Sequence, residues 1–437
     1  MSYPTKKLGD VAKIEGGGTP STKNPLFWNG DVSWLTPKEL SDLSDREIFD
    51  TERKITSEGL RHSKLFPAGA VLFTSRAPIG YVAIAGIQMA TNQGFKNFIC
   101  NEKVLNNGFL YYFFKLKTKY LQSLGRGATF TEISRSILAK VEIPLPPLEI
   151  QKQIVERLDK VVGAQKLNGD LIQKTDELFQ SLLHKELDPA GPAHIPIKQH
   201  TNKLEYVGMS GSRSKTPADA SAFVKTSADK KAMAGKKNWE IKKLGDTDII
   251  EIIDGDRGKN YPPKNEFQKM GFCLFLNTKN VTSSGFIFVE VDFIPKERDE
   301  KLRKGKLQRN DIVLTTRGTV GNSALYDDSV EFDNVRINSG MVILRPNTKK
   351  IIPKLLWVLM GDSMTQRQFK RILSGTAQPQ LPITNLVKIK IPLPPLQTQR
   401  QIVAKLSAVQ NYKTQLLAQK SKLKELFNSV LSKSFSG

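Results

Sequence analysis

Residues 143–162 read IPLPPLEIQKQIVERLDKVV, and residues 391–410 read IPLPPLQTQRQIVAKLSAVQ, identical at 12 of 20 positions with a constant offset of 248. A long-period duplication of this kind fixes architecture more firmly than local propensity does. The offset continues without a gap to ELFQSLLHK at 177–185 against ELFNSVLSK at 425–433. The prolines of PLPPL favour an extended lead-in and are excluded from a helix interior, so a helix is predicted to start near Leu148 and again near Leu396. From there Ile402, Leu406, Val409, Lys413, Leu416, Lys420, Leu423, Phe427 and Val430 advance in steps of four and three. Ile154, Leu158, Val161, Gln165, Asn168, Ile172, Thr175, Phe179 and Leu182 do the same. Two such seams, apolar at their ends and polar in the middle, fit an antiparallel coiled coil in which Gln165 and Asn168 lie near Lys413 and Lys420. Two separate amphipathic helices, each packed on its own domain, would satisfy the same pattern. At 1.5 Å per residue, about 40 residues make a rod of roughly 60 Å, which suits a spacer.

Upstream of the helices the repeat is weaker and slips in register. KKLGD occurs at 6–10 and 242–246, and VLFTSRAPIG at 71–80 echoes IVLTTRGTVG at 312–321. WLTPKEL at 34–40 faces FLNTKNV at 275–281, and TNQG at 91–94 faces INSG at 337–340. Short β-type runs such as GAVLFTS and GMVILRP alternate with helical ones such as NNGFLYYFFKLKTKYLQSL. The expected fold is therefore α+β: two mixed α/β domains related by an internal repeat and joined by two long antiparallel coiled-coil helices. Its expected parts are a first domain at 1–147, a first helix at 148–187, a linker at 188–238, a second domain at 239–395 and a second helix at 396–437. The linker assignment rests on a stretch rich in Ala, Ser, Lys and Gly.

The chain has 437 residues, enough for two domains with cores that need no disulfides. Its 66 Lys and Arg against 43 Asp and Glu give a net charge of +23, which favours a polyanionic partner and a fast, salt-sensitive encounter. Charge alone names neither a fold nor a base sequence. Cys100 and Cys273 stand far apart in apolar contexts and read as core thiols. MSYPTKKLGD lacks an apolar signal region, and no run approaches the roughly 18 apolar residues of a membrane span. No membrane association and a cytoplasmic location are expected.

No G-x-x-x-x-G-K-[ST] phosphate loop occurs, and His62, His184, His194 and His200 form no metal-ligand spacing. The nearest approach to an adenine-methyltransferase loop is Asn24-Pro-Leu-Phe27, with Leu where a second Pro belongs. Glu52-x-Lys54 and Glu240-x-Lys242 read as solvated charge pairs rather than as a nuclease centre. The chain is expected to be non-catalytic, without a metal or cofactor of its own.

The duplicated PLPPLxxQxxIVxxL segment, the T-[ST]-R-x-x-x-G loop and the KKLGD start together resemble the specificity subunits of type I restriction-modification systems, over nearly the whole chain except the linker. The resemblance implies that each globular part is a target-recognition domain and that the helices are spacers. It implies double-stranded DNA as ligand and two methyltransferase subunits that carry S-adenosylmethionine and modify adenine. It also implies restriction subunits that use ATP and Mg. A sequence-independent nucleic-acid-binding scaffold is the alternative that charge and helices alone would satisfy.

On that reading, basic and amide side chains on loops face the major groove, with position set by phosphate contacts. The candidate contacts are Lys38, Ser75, Arg76, Gln93, Arg126 and Thr129 in the first domain. In the second they are Arg257, Lys259, Lys279, Thr316, Arg317 and Gln378. Arg76 and Arg317 form the best pair, because each follows a β-type run and precedes a Gly-containing turn at matching places. Gly16-Gly-Gly-Thr-Pro20 and Gly255-Asp-Arg-Gly258 are loop candidates beside them. Val155, Leu183, Val403 and Leu431, apolar positions off the helix seam, are candidates for docking the methyltransferase subunits.

Overall fold

The computed structural model describes residues 3–41, 43, 45–125, 132–187, 239–258, 261–375 and 379–435. The proline lead-ins end where expected: the first long helix is Leu148–Leu187 and the second is Leu396–Phe435. Two compact units result, one taking the chain up to Gln173 together with Thr414 onward, the other Lys174–Lys413. Each unit therefore holds one globular part and one half of each long helix, a partition that cuts across the domain limits expected from the repeat.

In the first unit Ala12–Gly16, Phe95–Cys100, Val71–Thr74, Val82–Ala85 and Glu47–Ile48 form a sheet in that order. A second sheet pairs Trp28–Leu35 in parallel with Met89–Thr91. The second unit repeats the scheme. Ile250–Asp254, Met341–Pro346, Asp311–Thr315 and Ser323–Tyr326 form one sheet, and Cys273–Leu276 runs parallel to Val335–Ile337 in another.

KKLGD recurs because it is the hydrogen-bonding partner of the helix lead-in. Thr5–Lys7 pairs with Glu142–Pro144, and Glu240–Lys243 pairs with Lys390–Leu393. The glutamine of PLPPLxxQ is fully buried in both copies. Gln151 Nε2 donates to Val104 O at 2.9 Å and Pro146 O at 2.8 Å, while its Oε1 accepts from the Asn106 amide at 2.9 Å. Gln399 does the same with Lys350 O at 2.9 Å, Pro394 O at 2.8 Å and the Ile352 amide at 2.9 Å. Buried polar groups are costly unless paired, so this one side chain locks each helix start to the loop beside it.

The long helices both pair with each other and pack on the globular parts. In the first unit Gln165 Nε2 donates to Leu423 O at 3.0 Å and Asn168 Nδ2 to Gln419 Oε1 at 3.2 Å. In the second, Lys413 pairs with Asp176 at 2.5 Å and Lys405 with Glu186 at 2.7 Å. Numbers rise on one helix as they fall on the other, so the pairing is antiparallel within each unit. The polar register differs from the expected one: Lys413 is neutralised by Asp176, and Lys420 is exposed.

Leu183 is 2% exposed and Leu431 is 6% exposed. Leu183 lies in a core with Leu187, Leu355, Ile402 and Leu406, and Leu431 in one with Phe109, Phe113, Ile154 and Leu158. Val155 and Val403 pack against these same two cores. Leu183 and Leu431 therefore correct the docking expectation, since their apolar area is spent inside the chain, while Val155 and Val403 are half-buried against the same cores.

Candidate nucleic-acid interface

The two T-[ST]-R-x-x-x-G loops share one framing pattern of backbone hydrogen bonds. The Ser75 and Arg76 amides donate to Gly94 O at 2.8 and 3.3 Å, and the Thr316 and Arg317 amides donate to Gly340 O at 2.8 and 3.1 Å. Thr74 Oγ1 donates to Pro78 O, and Thr315 Oγ1 to Thr319 O. Gly80 and Gly321 close the turns at φ +106° and +89°, a region that disfavours a side chain. On the far side the Ile133 amide donates to Ser75 O and the Leu381 amide to Thr316 O, both at 2.9 Å.

Three loops converge on each turn. A Cβ on Gly94 would stand 3.7 Å from Pro37 and 3.9 Å from Arg76; one on Gly340 would stand 3.0 Å from Thr278 and 3.8 Å from Arg317. The residues after Pro37 and Thr278 are Lys38 and Lys279, both exposed. The glycine-rich loops join through close backbone approach: a Cβ on Gly17 would lie 2.2 Å from Asn92 O, and one on Gly255 would lie 2.3 Å from Asn338 O.

The side chains expected to face DNA divide accordingly. Lys38, Arg76 and Gln93 of the first unit, and Arg257, Lys279 and Arg317 of the second, are exposed on these loops. Gln93 accepts from the Thr19 hydroxyl, while Arg257 donates to Asp254 Oδ1 at 3.2 Å and Ser339 O at 3.4 Å. Ser75 and Thr316 are corrected: they are 0% and 5% exposed, and each hydroxyl donates to Gly94 O or Gly340 O at 3.1 Å. They hold the turns together and present nothing outward. Arg126, Thr129, Lys259 and Gln378 lie outside the described residues.

Charge around the two arginines differs. Arg76 Nε donates to Glu132 Oε2 at 2.8 Å, and Lys96 Nζ reaches Glu132 Oε1 at 2.9 Å and Ser75 Oγ at 3.3 Å. Partial burial works to raise the Glu132 pKa, but hydrogen bonds from Lys96 and Arg76 and their charges outweigh it and hold the carboxyl below its ordinary value. In the second unit Gln380 takes the bridging place of Glu132 opposite Arg317. Arg317 makes no ion pair among the described residues.

Sequence reasoning missed Glu132, which lies 56 residues from Arg76 and has no local signal. The run IPKLLWVLMGDSMTQRQFKRIL at 352–373 reads as helical and contains the helix Ser363–Ile372, but its exposed cations Arg367, Lys370 and Arg371 were not among the candidate contacts. Gln366 Nε2 on that helix donates to Gly321 O at 2.9 Å, which ties it to the Arg317 turn. Its i, i+3, i+4 spacing of cations was the available signal. Cys100 and Cys273 are free, as expected, and burial pushes both thiols up to about 12. No helix among the described residues is long and apolar enough to cross a membrane.

The chain matches the family model described as type I restriction modification DNA specificity domain over residues 2–175 and again over 236–425. It is 30% identical over 401 residues to the type I restriction enzyme MjaIX specificity subunit of Methanocaldococcus jannaschii, a match covering 90% of this chain and 83% of that one. In fold it is similar to the S subunit of a type I restriction-modification system from M. genitalium, with TM-score 0.53 and 15% identity over 99% of this chain and 96% of that chain. A chain from a structure of type I restriction-modification complex assembly and conformational transition aligns with TM-score 0.59 and 19% identity, over 99% of this chain and 97% of the other.

Proposed function

Because the chain belongs to the family of type I restriction-modification DNA-specificity subunits, we propose that it addresses a modification and restriction complex to a two-part, asymmetric DNA site, one half read by each unit. The observation that carries this reading is the arginine turn built twice on one backbone pattern, each copy exposing its guanidinium beside a lysine-bearing loop. A guanidinium fork matches guanine O6 and N7 in the major groove. Lys38, Lys279, Arg257 and the cations of Ser363–Ile372 suit phosphate oxygens, which set register without reading sequence. The continuous 40-residue helices set the separation of the halves, so unread base pairs lie between them.

On this reading the chain supplies recognition and no chemistry. S-adenosylmethionine belongs with two methyltransferase subunits that modify adenine, and ATP and Mg with restriction subunits, in the cytoplasm. A base that is extruded for methylation leaves the stack, so a separate surface must recognise its flanking pairs. A sequence-independent scaffold is disfavoured, since it has no use for duplicated turns whose neighbours have diverged. The test is to map methylated adenines in cells expressing this chain with its methyltransferase. A motif of two short defined blocks around an undefined middle is expected; a single contiguous block, or methylation without a motif, would overturn the reading.

A further inference from the structure

Arg76 carries its positive charge in a different setting from Arg317. Its Nε is held at 2.8 Å by Glu132, whose second oxygen is held at 2.9 Å by Lys96. Among the described residues only Nε of this guanidinium is engaged, and none of them occupies the edge formed by its two Nη groups. Lys96 is 13% exposed and Glu132 is 30% exposed, whereas Arg76 is 45% exposed. The order of burial puts Lys96 deepest, then the carboxylate, with the guanidinium outermost.

We infer that Glu132 is a positioning residue for the first half-site: it fixes the Arg76 fork so that the Nη edge meets guanine O6 and N7, which the second unit achieves without a carboxylate. An arginine side chain loses rotamer entropy when it is held, and fixing it before binding lowers the cost of the bidentate contact. The backbone supplies the other constraint. Arg76 and Glu132 form an antiparallel bridge, with the Ile133 amide donating to Ser75 O at 2.9 Å. Both side chains therefore leave adjoining backbone positions, and the ion pair between them is short. At the equivalent bridge the partner of Arg317 is Gln380, and Val342, which occupies the place of Lys96 after the turn glycine, is fully buried and apolar. Among the described residues no carboxylate pairs with the second fork.

The inference rests on the base-reading function proposed above, and the experiment separates the two. Complexes assembled with their methyltransferase and carrying Arg76→Ala, Glu132→Gln, Glu132→Asp or Arg317→Ala are measured against duplexes substituted one base at a time, and against random DNA at the same salt. Glu132→Gln is expected to lose about tenfold discrimination at the same single base pair that Arg76→Ala relaxes, the size of one bidentate contact. Binding of random DNA should be retained or raised, since a carboxylate has been removed from beside two cations. Glu132→Asp, which keeps the charge with a shorter reach, should lose less, and the base read by Arg317 should be untouched throughout. If Arg76→Ala relaxes one base pair while both Glu132 variants leave it intact, positioning is overturned and base reading stands. If Arg76→Ala relaxes no base pair, reading by this turn fails and the inference falls with it. If Glu132→Asp or Glu132→Gln lowers specific and random binding together, the carboxylate is structural only and the inference is overturned.

Discussion

The first arginine turn closes against Ile133 and carries an arginine, a glutamate and a lysine in one hydrogen-bonded row; the second closes against Leu381 and carries an arginine facing a glutamine. Their backbones share the same framing hydrogen bonds, including the amide pairs on Gly94 O and Gly340 O, and differ inside the turn, where Ala77–Pro78 is cis and Gly318 has φ +69°. The contrast teaches that duplication preserved what builds the turn and released what decorates it. Backbone hydrogen bonds and left-handed glycines are set by geometry that few residues satisfy. The side chain at the bridging position meets solvent, so Glu and Gln are both tolerated there and yield different electrostatics.

The comparison can be broken most severely at the scaffold. Inserting one heptad at matching levels of both long helices adds about 10 Å, so the original modification motif should vanish and one with a gap longer by about three base pairs should replace it, at 3.4 Å per pair. An unchanged motif in methylation sequencing would refute the role of the helices as a ruler. The next largest effect is expected at the helix locks. Gln151→Leu and Gln399→Leu should each cost about 3 kcal/mol, because three buried backbone groups lose their partner. The two losses should match within about 1 kcal/mol in denaturant titrations, since the locks are equivalent even though the readers are not.

A smaller and more local effect is expected at the readers. Arg317→Ala should relax one base position by about 1–3 kcal/mol, read from competition between single-substitution duplexes. An equal loss across all sequences would reassign Arg317 to phosphate. The finest test converts one turn toward the other: Gln380→Glu should create an exposed ion pair with Arg317 worth about 0.2–1 kcal/mol, seen as a small rise in stability that fades in high salt. No gain would mean that the second turn holds its arginine out of reach of the bridge position.

Much of this was legible without coordinates because it was written twice. The repeat at constant offset revealed both long helices, and the proline lead-ins explained their starts at Leu148 and Leu396. Cys100 and Cys273 were readable as core thiols from their apolar neighbours. Arg76 and Arg317 were found because they sit at equivalent places in matching turns. Ser75 and Thr316 were misread for the same reason: a hydroxyl beside an arginine looks available in one dimension, whereas the fold brings the Gly94 and Gly340 carbonyls against it and buries it there. Leu183 and Leu431 were misassigned because a heptad pattern describes one face of a helix only. Which other face is covered depends on what the chain brings alongside.

The sequence by itself determined the duplication, the two long helices, the excess of positive charge and the two matching loops that carry Arg76 and Arg317, since each is a local or periodic property. Only the tertiary structure decided that Gln151 and Gln399 lock the helix starts, that Lys413 answers to Asp176, and that Glu132 stands against Arg76 while Arg317 faces Gln380. These depend on contacts between residues tens to hundreds of positions apart. Such partners are set by strand pairing and helix register, and hydrogen bonds and ion pairs act only over a few ångströms.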